Sequence, residues 1–399
     1  MRIVRKLNYF CIFFTGMLLH VVVFATIVTD FEQFKIQICL ANFLPKHYAV
    51  LAENSSYQVI TIPVAEIDRV MQLADSAPCG RPVNVTQQLQ VTTPQALLRQ
   101  KPMPKKQLLS QAAYELTEAE AVKAAFAEIQ PDNVSATVSA MTAFTNRAAM
   151  YDSGRDAAAW LQYQLQQLAA MSFEQELQVF SVETGGRYRQ PSIVAVLGQA
   201  MTAPAIVLGA HMDTLGDTPQ RRMPGAGDDA SGSATLLETL RVFLASKPAL
   251  QRPVYFVWYA AEEQGLVGSQ QVVAYLQKQA VPVAAALQLD MTGFRQDERD
   301  KTMWVFQDYT DSQLSQFVAK LIQVYLKVPV GYSHCGYGCS DHVSWYEAGV
   351  PVAFPCETSF EQHNPYIHTE FDTPDLLSLE HMTNFTKLSL AFVLELALK

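Results

Sequence analysis

The chain has 399 residues, 49% of them hydrophobic and 17% charged, with a formal net charge of −9. That is ample apolar material for a large core. The acidic balance excludes nucleic acid and anionic membrane surfaces as natural partners.

The chain opens "MRIVRKLNYFCIFFTGMLLHVVVFA". Arg2, Arg5 and Lys6 precede a long apolar run, and Val23-Phe24-Ala25 offers short residues for cleavage. This is a signal-peptide pattern over residues 1–25, and it predicts a secreted, extracellular protein. The alternative is an uncleaved membrane anchor. No other stretch reaches spanning length without charges, so no stable membrane association is expected after signal removal.

An exported chain can hold disulfides. Of six cysteines, Cys11 falls in the signal. Cys335 and Cys339, in "CGYGC", are close enough to bridge and tighten a loop, a metal pair being the alternative. Cys39 and Cys79 can pair with each other, which leaves Cys356 as a buried thiol.

After the signal, "YQVITIPV" reads as a strand and "AEIDRVMQLAD" as a short helix. "QKPMPKKQ", residues 100–107, has the proline and lysine content of an exposed, cleavable linker. Residues 26–106 therefore read as a small α+β pro-domain with its linker, or as an N-terminal module that is retained.

From about residue 110 the pattern changes. "TEAEAVKAAFAEI" and "GRDAAAWLQYQLQQL" have helical period, while "SIVAVLG" and "AIVLGAH" are apolar strands. Then come the helix "SATLLETLRVFLAS", the buried strand "PVYFVWYA" and the helix "GSQQVVAYLQKQ". "AAALQLDM" and "TMWVFQ" are strand candidates, "DSQLSQFVAKLIQVYL" is helical, and a last helix runs from about 375 to 397. Alternating strands and helices predict an α/β catalytic domain over 107–399, with a mainly parallel mixed sheet flanked by helices on both faces. Roughly 290 residues suit one such domain.

Chemistry concentrates where the strands stop. "AIVLGAHMDT" ends in His211 and Asp213, "PVYFVWYAAEEQG" in Glu262 and Glu263, and "AAALQLDMTG" in Asp290. In open α/β sheets the site lies beyond the C-terminal strand ends. "PGAGDDASGSA" adds Asp228 and Asp229, and "NPYIHTEFDTPD" adds His368. Singly, each has a plain reading: a turn aspartate, a helix cap at Asp229 or Ser231, a satisfied loop histidine, a solvated helix start. Together, two histidines and several carboxylates suit zinc.

The set "GAHMDT", "PGAGDDASG", "YAAEEQGLVGS", "LQLDMTG", "CGYGCSDH" and "NPYIHTEFDT" resembles the secreted bacterial leucyl aminopeptidases, from about residue 110 to 399. The resemblance implies a zinc exopeptidase with two zinc ions per chain and an N-terminal pro-domain. It implies that His211 and Asp290 bind one zinc, Glu263 and His368 the other, and that Asp228 bridges them. It implies a cis peptide between Asp228 and Asp229, and a hydrogen bond from His211 to Asp213. Glu262 would be the general base toward a water activated by the metals, and Tyr337 would stabilise the oxyanion. Met291, Phe306, Cys356, Phe360 and His363 would form the side-chain pocket. Cys356 and His363 stand where leucine-preferring relatives carry aromatics, so the pocket departs from theirs.

The expected partners are peptides with a free N-terminus, and the expected state is a monomer. Two rivals share the architecture. A carboxypeptidase needs a cation for the terminal carboxylate, for which Arg222 and Arg295 are candidates. A glutaminyl cyclase-like acyltransferase would work with a single zinc.

Overall fold

A computed structural model describes residues 31–77, 79–105, 107–171 and 176–399. The candidate signal and Lys106 of the linker lie outside the described residues. Among the described residues, no helix is long and apolar enough to cross a membrane.

The N-terminal unit is a small four-stranded sheet with β1 (Phe31–Gln37), β2 (Ala49–Glu53), β3 (Tyr57–Pro63) and β4 (Val83–Asn84) in the order β2-β3-β1-β4. All its pairings are antiparallel. The helix Ile67–Asp75 follows β3 and buries Ile67, Val70, Met71 and Ala74. These residues sit one turn apart, so a single face meets the sheet. Their core also takes in Leu215 and Met223 of the larger unit, so the two units share apolar packing. A disulfide joins Cys39 to Cys79.

The larger unit is built on an eight-stranded mixed sheet. Its strands are β5 (Gln178–Val182), β6 (Ser192–Leu197), β7 (Ala205–His211), β8 (Val254–Tyr259), β9 (Val283–Gln288), β10 (Met303–Phe306), β11 (Val330–Ser333) and β12 (Val352–Cys356). Their order is β11-β10-β12-β9-β7-β8-β6-β5. The central strands β12, β9, β7 and β8 are parallel to one another. Antiparallel β6 and β5 extend one side.

The sheet is apolar on both faces because it is covered on both. Ile193, Ala195 and Leu197 of β6 and Phe256 and Trp258 of β8 join one core, with the helices Ser231–Ala245 and Leu379–Ala397. The alternate residues Val194, Val196, Tyr255, Val257 and Tyr259 join the other core, with the helix Val267–Lys278. Period-two alternation thus sorts continuous apolar runs into two layers.

Three local readings need correction. The helix expected over "DSQLSQFVAKLIQVYL" is regular only over Ser312–Leu321, then widens over Ile322–Leu326 and stops at Lys327, whose φ is +59°. The last helix starts at Leu379 rather than near 375, because Ser378 caps it by accepting the His381 N–H at 3.2 Å. Among its described residues the linker has no regular structure, as expected, yet it is tied down: Met103 N–H donates to Glu347 O at 2.9 Å, and Lys105 pairs with Asp311 at 2.9 Å.

Candidate active site

The site stands at the C-terminal ends of three adjacent strands. His211 is the last residue of β7, and Glu262 and Glu263 lie three and four residues beyond β8. Asp290 lies two residues beyond β9. The helix after β7 packs on one face and the helix after β8 on the other, which opens the crevice where such sheets bind ligands. The two glutamates are therefore not on a strand. Ala261 adopts φ +52°, turning the chain between the strand and the pair.

Asp228 joins two clusters. Its Oδ1 is 2.8 Å from His211 Nε2, and its Oδ2 is 2.9 Å from His368 Nε2. The first cluster is His211, Asp228 and Asp290; the second is Asp228, Glu263 and His368. In each, the candidate ligand atoms lie within 4.8 Å of one another. Among the described residues, Asp290 Oδ1 is buried without a hydrogen-bond partner, and it faces His211 Nε2 at 3.6 Å. Imidazole and carboxylate donors converging in this way fit zinc.

The turn that presents Asp228 is held from several sides, and the Asp228–Asp229 peptide is cis. Asp372 accepts the N–H groups of Gly227 and Asp228 at 2.9 and 3.0 Å. The buried Arg147 guanidinium donates to the carbonyls of Pro224, Gly225 and Met212. Asp229 accepts from the N–H groups of Gly232, His211 and Met291, tying the helix start to two strand ends. Ser340 donates to Asp290 Oδ2 at 2.6 Å. Arg147, Asp372 and Ser340 were not singled out from the sequence. For Asp372 and Ser340 a signal was available, since each is polar and lies within a motif quoted above.

Asp213 stands beside His211 on the expected nitrogen, at ion-pair range: its Oδ1 is 3.5 Å from His211 Nδ1, and among the described residues that nitrogen makes no closer hydrogen bond. Both its oxygens also accept backbone N–H groups, from Glu262 at 3.0 Å and from Glu263 at 3.3 Å. It clamps the turn carrying the paired carboxylates.

The two glutamates are driven apart electrostatically. Burial, reinforced by Asp341, Glu263 and Asp290, pushes Glu262 well above the ordinary carboxylate range against the pull of His211. Burial would also raise Glu263, together with Asp228, but His368 and Arg81 bring it below its ordinary value. Tyr337 is pushed up by burial to about 12. Its hydroxyl therefore keeps its proton across the physiological range.

Met291, Phe306, Cys356, Phe360 and His363 all line one cleft of about 700 Å³, together with Glu262, Glu263, Asp228, Asp290, Tyr337 and His368. Phe354 adds to the apolar wall. His363 stacks on Phe360, with centroids 5.7 Å apart. Cys335 and Cys339 form the expected disulfide, and Cys356 is free and buried. Arg295 is engaged with Glu380 at 3.1 Å and, like Arg222, does not line the cleft. Among the described residues, the arginines that do are Arg81 and Arg221.

Arg81 belongs to the N-terminal unit. Asp75, Ala77, Cys79, Gly80 and Arg81 roof the cleft. Arg81 pairs with Asp75 at 2.7 Å and with Glu263, and its Nη2 lies 2.9 Å from His368 Nδ1. Burial opposes its charge, but Asp75 and Glu263 outweigh burial and hold the guanidinium protonated.

The model of peptidase family M28 matches residues 192–393. The crystal structure of the Legionella pneumophila LapA aminopeptidase superposes with a TM-score of 0.87 and 49% identity, covering 92% of this chain and 99% of that one. That of LapB from Legionella pneumophila has a TM-score of 0.85 and 38% identity, over 93% of this chain and 100% of the other. Leucine aminopeptidase 1 of Arthroderma otae is 35% identical over 289 residues, covering 70% of this chain and 77% of its own. Family match, sheet and site together show that the chain belongs to peptidase family M28.

Proposed function

We propose that this M28 aminopeptidase uses two zinc ions to release apolar, leucine-like residues from peptides with a free N-terminus. His211, Asp228 and Asp290 would hold one ion, and Asp228, Glu263 and His368 the other. The observation that carries this reading is the pair of donor clusters sharing Asp228. Zinc held there supplies Lewis acidity, which makes water a competent nucleophile near neutral pH.

The chain's own groups do the rest. Glu262 lines the cleft beside both clusters and takes the proton of the attacking water. Once protonated, Glu262 can return that proton to the leaving amine. Tyr337 donates to the carbonyl oxygen as negative charge develops there. Asp213 fixes the backbone of both glutamates. The acidic cleft favours a substrate ammonium group. The apolar wall of Met291, Phe306, Phe354, Cys356 and Phe360 receives its side chain. Cys356 gives this wall more room than an aromatic would, so Met and Phe should be accepted beside Leu.

Two observations count against the rival chemistries. The cleft arginines are engaged, Arg221 with Asp217 at 2.8 Å and Arg81 as described, so neither is a free carboxylate clamp. Two donor clusters, rather than one, argue against a single-ion cyclase.

We further propose that the chain is exported as a zymogen and works as a monomer. Residues 1–25 would be the signal, 26–106 the pro-domain and linker, and 107–399 the catalytic domain. The roofing of the cleft by Asp75, Ala77, Cys79, Gly80 and Arg81 supports an inhibitory pro-domain. A panel of aminoacyl p-nitroanilides, free and N-acetylated, with and without chelator, tests the reading. Expected are cleavage of free Leu, Met and Phe substrates, loss with chelator, and a rise in rate after proteolysis within residues 100–107. Equal cleavage of N-acetylated substrates would contradict it.

A further inference from the structure

His368 Nδ1 lies between two groups that ask opposite things of it. Asp75 Oδ2, at 3.0 Å, is an acceptor and needs a proton on Nδ1. Arg81 Nη2, at 2.9 Å, is a donor and needs Nδ1 bare. With Nδ1 protonated, Nε2 offers its lone pair toward Asp228 and Glu263, as a metal ligand must. With Nδ1 bare, the proton of the neutral ring sits on Nε2 and that lone pair is lost.

Arg81 also donates to Glu263 Oε2, the same oxygen that faces His368 Nε2 at 3.4 Å. A guanidinium on that oxygen competes with a metal ion for charge and for space. The seat is firm: Asp75 grips Arg81 through Nε at 2.7 Å and Nη2 at 3.1 Å. Gly80 packs so closely on Tyr337 that a Cβ there would fall 2.0 Å from the ring. The other cluster has no such visitor. Among the described residues, the polar partners of His211 and Asp290 all come from the larger unit.

We propose that Arg81 is a built-in competitor for one of the two metal ions. In the uncut chain it excludes the ion from the Glu263–His368 half and leaves the His211–Asp290 half loaded. This rests on the two-zinc, pro-domain reading. Removal of the pro-domain would then complete the metal site as well as open the cleft.

The test is zinc binding to the chelator-treated full chain, measured by equilibrium dialysis with elemental analysis. Wild type is compared with Arg81→Ala, with Arg81→Gln, which keeps donors but not charge, and with the chain after linker cleavage. Expected are one tight zinc for uncut wild type and two for the cut chain. Both uncut Arg81 variants should bind the second zinc at least about tenfold more tightly than wild type, with the first unchanged. Two zincs of equal affinity in uncut wild type and in the Arg81 variants would overturn the competitor role and leave the two-zinc reading intact. One zinc in every form, the cut chain included, would remove that reading and the proposal with it.

Discussion

The two halves of the proposed metal site are built differently. The His211–Asp290 half comes from neighbouring parallel strands and is enclosed by the larger unit; His211 is fully buried and Asp290 6% exposed. The Glu263–His368 half comes from a turn and a loop, with His368 at φ +61°, and it faces the N-terminal unit. Backbone ladders hold the first half at fixed spacing, whereas the second depends on loops that another segment can reach. On the proposed reading, rigidity and control are divided across one shared carboxylate, Asp228.

The largest effect should come from removing what the halves share. Asp228→Asn is expected to cost both ions and to lower turnover by more than about 10³-fold. Retention of one zinc with substantial turnover would show the halves to be independent.

A smaller effect isolates the controlled half. Gly80 has φ +60° and no room for a Cβ against Tyr337. A left-handed conformation alone costs a residue with Cβ roughly 1–2 kcal/mol. Gly80→Ala should therefore unseat the roof and raise the rate of the uncut chain by about 5- to 30-fold. The cut enzyme provides the reference, and an unchanged uncut rate would mean that the roof does not inhibit.

The last effect concerns the scaffold and leaves the site untouched. Burial pushes His342 down to about 3 and His381 down to about 4. Both rings stay neutral while the unfolded chain takes up protons below pH ~6.5. Their contribution to stability is whole above that pH and is lost as pH falls toward 4, by about 1 kcal/mol per pH unit for each ring. Thermal melts between pH 7 and 4.5 should show the decline, and His381→Gln should flatten it. A slope unchanged in that variant would contradict the assignment.

The strand-built half was legible in the sequence because strand ends announce themselves. An apolar run that stops at a histidine or an aspartate needs no tertiary knowledge to be noticed. Glu263 and His368 were legible through their short motifs. Arg81 was not, because its meaning lies in a contact with Glu263 across 182 residues, made by a loop with no period of its own. Asp213 was read as the neighbour of His211, which it is at 3.5 Å, but its bonds to two backbone N–H groups are a partner type that sequence patterns do not display. The fold itself was readable from alternating strands and helices, while helix ends were displaced by a few residues where a cap or a wide turn decided them.

The division of labour between Glu262 and Glu263 is tested most directly by Glu262→Gln, with zinc content and kcat measured on one cut preparation. Zinc per chain is expected to match the parent, while kcat falls by about 10²–10⁴-fold. Parental turnover, or loss of zinc along with activity, would contradict the assignment of Glu262 as the proton-transfer group that leaves the metals to Glu263.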